Sequence, residues 1–239
     1  MADIAVVDYG MGNLRSVQQA LHPVAPNSSI VVTGDPREIE RAKRVIFPGQ
    51  GAMPDCMREM DALGLRTAVL EAAHSKPFLG ICIGLQMLFE HSAEGNIPGL
   101  GILKGSVVRF APNLKDEQGN KLKVPHMGWN QVHQTAVLYP APGGEGSLVA
   151  SPPGGRLERE STLDHPLWQD IAQDSRFYFV HSYYVQPQDN ALVQATSDYP
   201  QPFVCAVARD NLFAVQFHPE KSQSAGLTLL RNFVVWTPV

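Results

Sequence analysis

A cysteine flanked by two glycines constrains this chain more than any other feature. Lys76-Pro77-Phe78-Leu79-Gly80-Ile81-Cys82-Ile83-Gly84-Leu85-Gln86-Met87-Leu88-Phe89 reads as strand, sharp turn and helix. Phe78 to Ile81 is a short apolar run after a proline, as a buried strand is, and Leu85 to Phe89 holds good helix formers. Gly-x-Cys-x-Gly between them is a nucleophile elbow with sulfur in place of the serine oxygen. At such a turn the backbone of the nucleophile is strained and its neighbours two residues away are crowded, so Gly80 and Gly84 fit where a Cβ would clash. The sulfur then stands at the top of the sheet. The helix N-terminus favours negative charge there, and the Ile83 N–H can face a developing oxyanion. A lone cysteine is more often a packed one. Cys56 and Cys205 are read that way; the paired glycines set Cys82 apart.

A thiol nucleophile needs a base. Leu212-Phe213-Ala214-Val215-Gln216-Phe217-His218-Pro219-Glu220 supplies one, because Phe213, Val215 and Phe217 alternate as in a strand and Pro219 ends the ladder. Extended backbone sets residues two apart on one face, so Glu220 is expected beside His218, fixing its tautomer while the other ring nitrogen reaches the thiol. His181 is a second candidate, but it has no carboxylate two residues away.

Gly-x-Cys-x-Gly-x-Gln with a late Gln-Phe-His-Pro-Glu resembles the class-I, triad-type glutamine amidotransferases. Asp8-Tyr9-Gly10-Met11-Gly12-Asn13-Leu14, Pro125-His126-Met127-Gly128-Trp129-Asn130 and Phe179-Val180-His181-Ser182-Tyr183-Tyr184 narrow the resemblance. They look like the group of these amidotransferases that serves imidazole glycerol phosphate synthase in histidine biosynthesis. The likeness covers nearly the whole chain except a stretch around 139–163. It implies that Cys82 attacks the side-chain amide of glutamine, that His218 is base and acid, and that Glu220 orients it. It also implies that backbone donors at Gly49, Gln50 and Gly51 form the oxyanion segment. Substrate contacts would come from Gln86, Glu94, Ser182 and Tyr183. The implied partner is a (β/α)₈-barrel cyclase subunit in a heterodimer, with Pro125–Asn130 either packed or lying near that partner.

The rest of the chain is consistent with one α/β domain over residues 1–239. Apolar content of 44% and charged content of 18% are those of a globular protein, and 239 residues can bury a full core. Ile4–Asp8, Ile30–Thr33 and Val45–Phe47 read as strands and Asp35-Pro36-Arg37-Glu38 as a capped helix start. Strand–helix alternation predicts a mostly parallel central sheet with helices on both faces, and ligands at the carboxyl ends of its strands. Tyr9–Gly12, Pro48–Gly51 and Cys82 all fall at such ends. Tyr9-Gly10-Met11-Gly12-Asn13 lacks the third glycine and the lysine of a phosphate loop. Beyond Leu103, short strands at Ser106–Phe110, Lys121–Val124 and Gln131–His133 predict an antiparallel extension, with Pro125–Asn130 as a loop. Residues 139–163 read as a flexible surface insertion rich in Pro, Gly and Ser. Ser222–Val235 reads as a closing amphipathic helix.

Composition also excludes classes. A net charge of −4 gives no basic surface for nucleic acid. Three cysteines without framework spacing argue for a reducing compartment, and no apolar run approaches the roughly 20 residues of a membrane span. The N-terminus has no signal-peptide pattern, so a cytoplasmic protein is expected. No Cys/His set has metal-ligand spacing, and no cofactor is implied. Two readings stay open beside the glutaminase of this synthase. One is the same chemistry serving another synthase; the other is a stand-alone cysteine hydrolase of γ-glutamyl bonds. A binding module with a packed Cys82 is the non-enzymatic rival.

Overall fold

The computed structural model describes residues 2–116, 118–135 and 165–238. The expected surface insertion at 139–163 lies outside the described residues. The elements follow the chain as β1 Ile4–Val7, α1 Leu14–Leu21, β2 Ile30–Thr33, α2 Pro36–Arg41, β3 Arg44–Gly49, α3 Met53–Ala62, α4 Arg66–Ser75, β4 Phe78–Cys82 and α5 Ile83–Gln86. Then come β5 Phe89–Ser92, β6 Ile97–Pro98, β7 Leu103–Arg109, β8 His126–Gln131, β9 His133–Gln134, β10 Arg176–His181, β11 Tyr183–Pro187, β12 Val193–Asp198, β13 Pro202–Arg209, β14 Leu212–Val215 and α6 Gln223–Val235.

The main sheet runs β2-β1-β3-β4-β14-β13-β11-β7-β5-β6, with β12 and β9 joined at β13. Its first five strands pair in parallel, and β13, β11 and β7 continue it antiparallel. This is the expected α/β architecture with an antiparallel extension. Every residue of β1, β4 and β14 is buried, as strands covered on both faces must be. Local chemistry sets the helix starts. Asp35 Oδ1 accepts the Arg37 N–H at 2.9 Å, with Pro36 in the first turn. Asn13 Oδ1 accepts from Ser16 at the head of α1. Gly64, at φ +68°, turns the chain between α3 and α4. Among the described residues no helix is long and apolar enough to cross a membrane.

Four local expectations are corrected. The elbow helix ends at Gln86 rather than running through Phe89, because Phe89–Ser92 pairs in parallel with β7 and sheet pairing overrides a helical preference. Pro125–Asn130 is no loop. Its residues from His126 form β8, paired antiparallel with β10 over six registered positions. Glycine, asparagine and exposed apolar residues hid that strand's alternation. Lys121–Val124 makes only a bridge, Lys115 to Lys121. Gln131–His133 is split at Val132 between β8 and β9, which pair with different strands.

Candidate active site

The register of three adjacent parallel strands builds the site. Gly49, the last residue of β3, lies opposite Cys82, the last of β4, and Val215 of β14 lies opposite Ile81. Their onward loops therefore open into one crevice at the carboxyl edge, where a parallel sheet offers its binding site. Cys82 sits at φ +57°, ψ −109°, a left-handed conformation that a side chain rarely adopts. The crowding expected around it is present. A Cβ on Gly84 would run into the Phe47 carbonyl oxygen, and one on Gly80 would lie 3.0 Å from the Ala214 Cβ. The turn brings α5 down onto the backbone of β3, so the sulfur is left at the crevice, buried but for a few per cent.

His218 and Glu220 come together as expected, by a different backbone. Pro219–Lys221 is a single 3-10 turn rather than a strand end. The turn folds Glu220 back so that its Oε1 meets His218 Nδ1 at 2.8 Å. Both side chains are buried. The His218 N–H donates to the Tyr178 carbonyl, and its own carbonyl accepts from Ser222 Oγ, so the histidine backbone is held on both sides. Nε2 is buried without a hydrogen-bond partner and lies close enough to Cys82 to respond to its charge. Burial opposes protonation of this imidazole, but the neighbouring Cys82 and the hydrogen-bonded Glu220 outweigh it and push the ring up to about 10. The charged imidazole is thus the form held at neutral pH.

His181 is excluded as a base by its surroundings. Its Nδ1 donates to the Tyr183 carbonyl at 2.9 Å and its Nε2 lies 3.0 Å from His126 Nδ1. Since the carbonyl only accepts, His181 carries its proton on Nδ1, and His126 donates to the bare Nε2. Burial lowers His126 to about 4 and His181 to about 3, so both stay neutral.

The Pro48–Gly51 segment is tethered at two carbonyls. The buried Tyr9 hydroxyl donates to Pro48 O at 2.9 Å, and Cys56 Sγ lies 3.8 Å from Gln50 O. The Gly49–Gln50 peptide lies between these tethers. Gly51, at φ +116°, takes a conformation that favours glycine. Gln86 is buried, and its Nε2 donates to the Tyr183 carbonyl at 3.1 Å and to Gln216 Oε1 at 2.9 Å. Its Oε1 has no partner. Glu94 receives the Met53 N–H on Oε2 at 2.8 Å, which caps α3 beside the same loop. The Ser182 carbonyl accepts from Phe110 N–H at the start of β11.

Gln216 is the residue that sequence reasoning missed. Its Nε2 lies 3.7 Å from Cys82 Sγ. The signal was present: an amide inside the apolar run Leu212–Phe217 must find a partner in the core. Among the described residues no cluster of three His, Cys, Asp or Glu side chains has metal-site geometry.

Comparison with known proteins is consistent with this geometry. The family described as glutamine amidotransferase class-I matches residues 5–236. A protein of Nitrosospira multiformis named imidazole glycerol phosphate synthase subunit HisH is 60% identical over the full length of both chains. One of the same name from Neisseria meningitidis serogroup B is 49% identical, covering 97% of this chain and 99% of its own. Two solved structures share the fold at low identity. A putative GMP synthase protein of Thermoplasma acidophilum has a TM-score of 0.62 at 17% identity, over 98% of this chain and 92% of its own. The glutaminase domain of Trypanosoma brucei CTPS, with bound acivicin, has a TM-score of 0.58 at 16% identity, over 100% and 96%.

Proposed function

The chain belongs to the class-I glutamine amidotransferase family, and from that premise we propose that Cys82, His218 and Glu220 hydrolyse glutamine to glutamate and ammonia for imidazole glycerol phosphate synthase in histidine biosynthesis. The observation that carries the triad is the buried His218–Glu220 pair at 2.8 Å, with the second ring nitrogen free beside a cysteine at a strained elbow.

The chemistry proceeds in two halves. The Cys82 sulfur forms a bond to the side-chain amide carbon of glutamine, and the carbonyl electrons move onto oxygen. The oxyanion is met by the Ile83 N–H and by a backbone N–H of the Gly49–Gly51 segment. The C–N bond then breaks, His218 gives its Nε2 proton to the leaving nitrogen, and ammonia departs from a γ-glutamyl thioester. Water adds next, its proton passing to His218. The C–S bond breaks, releasing glutamate and restoring the thiolate beside the imidazolium. Gln86 has spent both amide hydrogens, so its Oε1 is what it offers a substrate N–H. Glu94, Ser182 and Tyr183 hold the amino-acid end.

Ammonia is consumed by the other half of the synthase, a (β/α)₈-barrel cyclase in a heterodimer. Met127 and Trp129 stand exposed on β8, whose partner strand β10 carries Val180 O against the Cys82 sulfur and Tyr178 O against the His218 N–H. Exposed apolar side chains so close to the crevice suit a partner seat that shields ammonia from protonation by water. Unpaired Cys56, Cys82 and Cys205 suit a cytoplasmic location.

The test is glutamate release by the purified chain, alone and with the cyclase subunit plus its nucleotide ligand, beside Cys82→Ala. A large rise with the loaded partner, abolished by Cys82→Ala, is expected. Equal turnover with and without the partner would indicate a free hydrolase instead.

A further inference from the structure

Two buried amides link a backbone carbonyl to the reactive sulfur, and the carbonyl dictates how both must point. Tyr183 O can only accept a hydrogen bond. The Gln86 amide group 3.1 Å away must therefore present its nitrogen there. The same nitrogen lies 2.9 Å from Gln216, so Gln216 must answer with its oxygen. Its nitrogen is then left facing Cys82 Sγ at 3.7 Å. Flipping either amide would oppose two acceptors or two donors inside a fully buried cluster, which costs more than it could return. Gln216 is further fixed by its backbone, whose N–H donates to the Cys205 carbonyl at 2.8 Å.

We infer that Gln216 is a positioning residue for the nucleophile: its side-chain N–H holds the Cys82 sulfur in place and favours the thiolate over the thiol. Two other groups face the sulfur: the His218 imidazole, whose positive charge also favours the thiolate, and the Val180 carbonyl at 4.0 Å, an acceptor that favours the thiol. Of the two uncharged groups, the Gln216 donor and the Val180 acceptor compete for one atom. The donor is nearer, and its bond strengthens when sulfur carries charge. The inference rests on the reading of Cys82 as the nucleophile.

The experiment is the pH profile of Cys82 alkylation by iodoacetamide, on the full chain, with glutamate release measured alongside. Burial pushes the Cys56 thiol up to about 11 and raises that of Cys205, so both react little near neutral pH. Cys82→Ala gives the background. Gln216→Met removes the donor, and Gln216→Glu keeps an acceptor for Gln86 while turning a second acceptor on the sulfur. The midpoint of the alkylation profile is expected to rise by about one pH unit in Gln216→Met and by more in Gln216→Glu, the size expected for a hydrogen bond to a charged group. Both profiles should move to higher pH. A merely structural role would lower the rate at all pH values without moving the profile. Coincident profiles in both variants overturn the inference, even if the wild type hydrolyses glutamine. Displaced profiles uphold it, even if glutamate release proves absent and the glutaminase reading fails. Should Gln216→Glu fail to fold, Gln216→Met alone decides.

Discussion

His218 is the residue on which the charge balance of the site turns. Its imidazole is buried, which disfavours charge, yet it is held near 10 by Cys82 and Glu220 together. Removing one neighbour must therefore lower it. In Cys82→Ala, burial acts against Glu220 alone, and the ring should titrate well below about 10. Proton NMR of the His218 ring, wild type against variant, measures this directly, and unchanged titration would mean that the thiol exerts no field on the base. Cys82, His218 and Glu220 were legible in the sequence because each sits in a short motif whose chemistry is local: glycines two either side, a proline between acid and base. Gln216 was harder, since its partners Gln86 and Cys82 are 130 and 134 residues away. Only the anomaly of an amide in an apolar run announced it.

At the scale of elements, the elbow depends on how closely α5 approaches β3. At Gly84 a Cβ would meet a backbone oxygen, which has no rotamer to yield, whereas at Gly80 it would meet the Ala214 methyl and the Gly84 carbonyl at 3.0 and 3.1 Å. Gly84→Ala should cost about 3 kcal/mol or more, through forced separation of helix and strand. Gly80→Ala should cost less. Urea unfolding of both variants gives the order, and a milder Gly84→Ala would contradict the packing described. The elements that sequence reading placed well were those carrying their own signals, such as the Asp35-Pro36 helix start and the apolar β4. It failed at α5, which β5 cuts short by pairing with β7, and at β8, which is a strand only because β10 lies beside it. Periodicity cannot report a neighbour that far along the chain.

For the whole molecule, three neutral histidines form an acid-sensitive set. Burial holds His126 and His165 at about 4 and His181 at about 3, against an ordinary value of 6.5. The unfolded chain takes up these protons near 6.5 and the folded one does not. Their contribution to stability is thus complete above about pH 6.5 and is lost as pH falls toward 4 and 3. Each group supplies about 1.4 kcal/mol per pH unit across that window. Urea midpoints should drop clearly from pH 7 to pH 5. An unchanged midpoint would mean that the histidines are not buried as neutral rings.

The strand order has a consequence for how the enzyme is made. β14, which leads into His218, slots between β4 and β13, so His218 arrives just behind the last strand to enter the sheet. At a synthesis rate of roughly 5–20 residues per second, the 134 residues from Cys82 to Gln216 take on the order of ten seconds to emerge. Throughout that interval the ribosome holds a chain in which Cys82 has neither His218 nor Gln216 beside it. With the triad proposed above, an unfinished chain spends no glutamine, at the cost of a cysteine briefly open to oxidants.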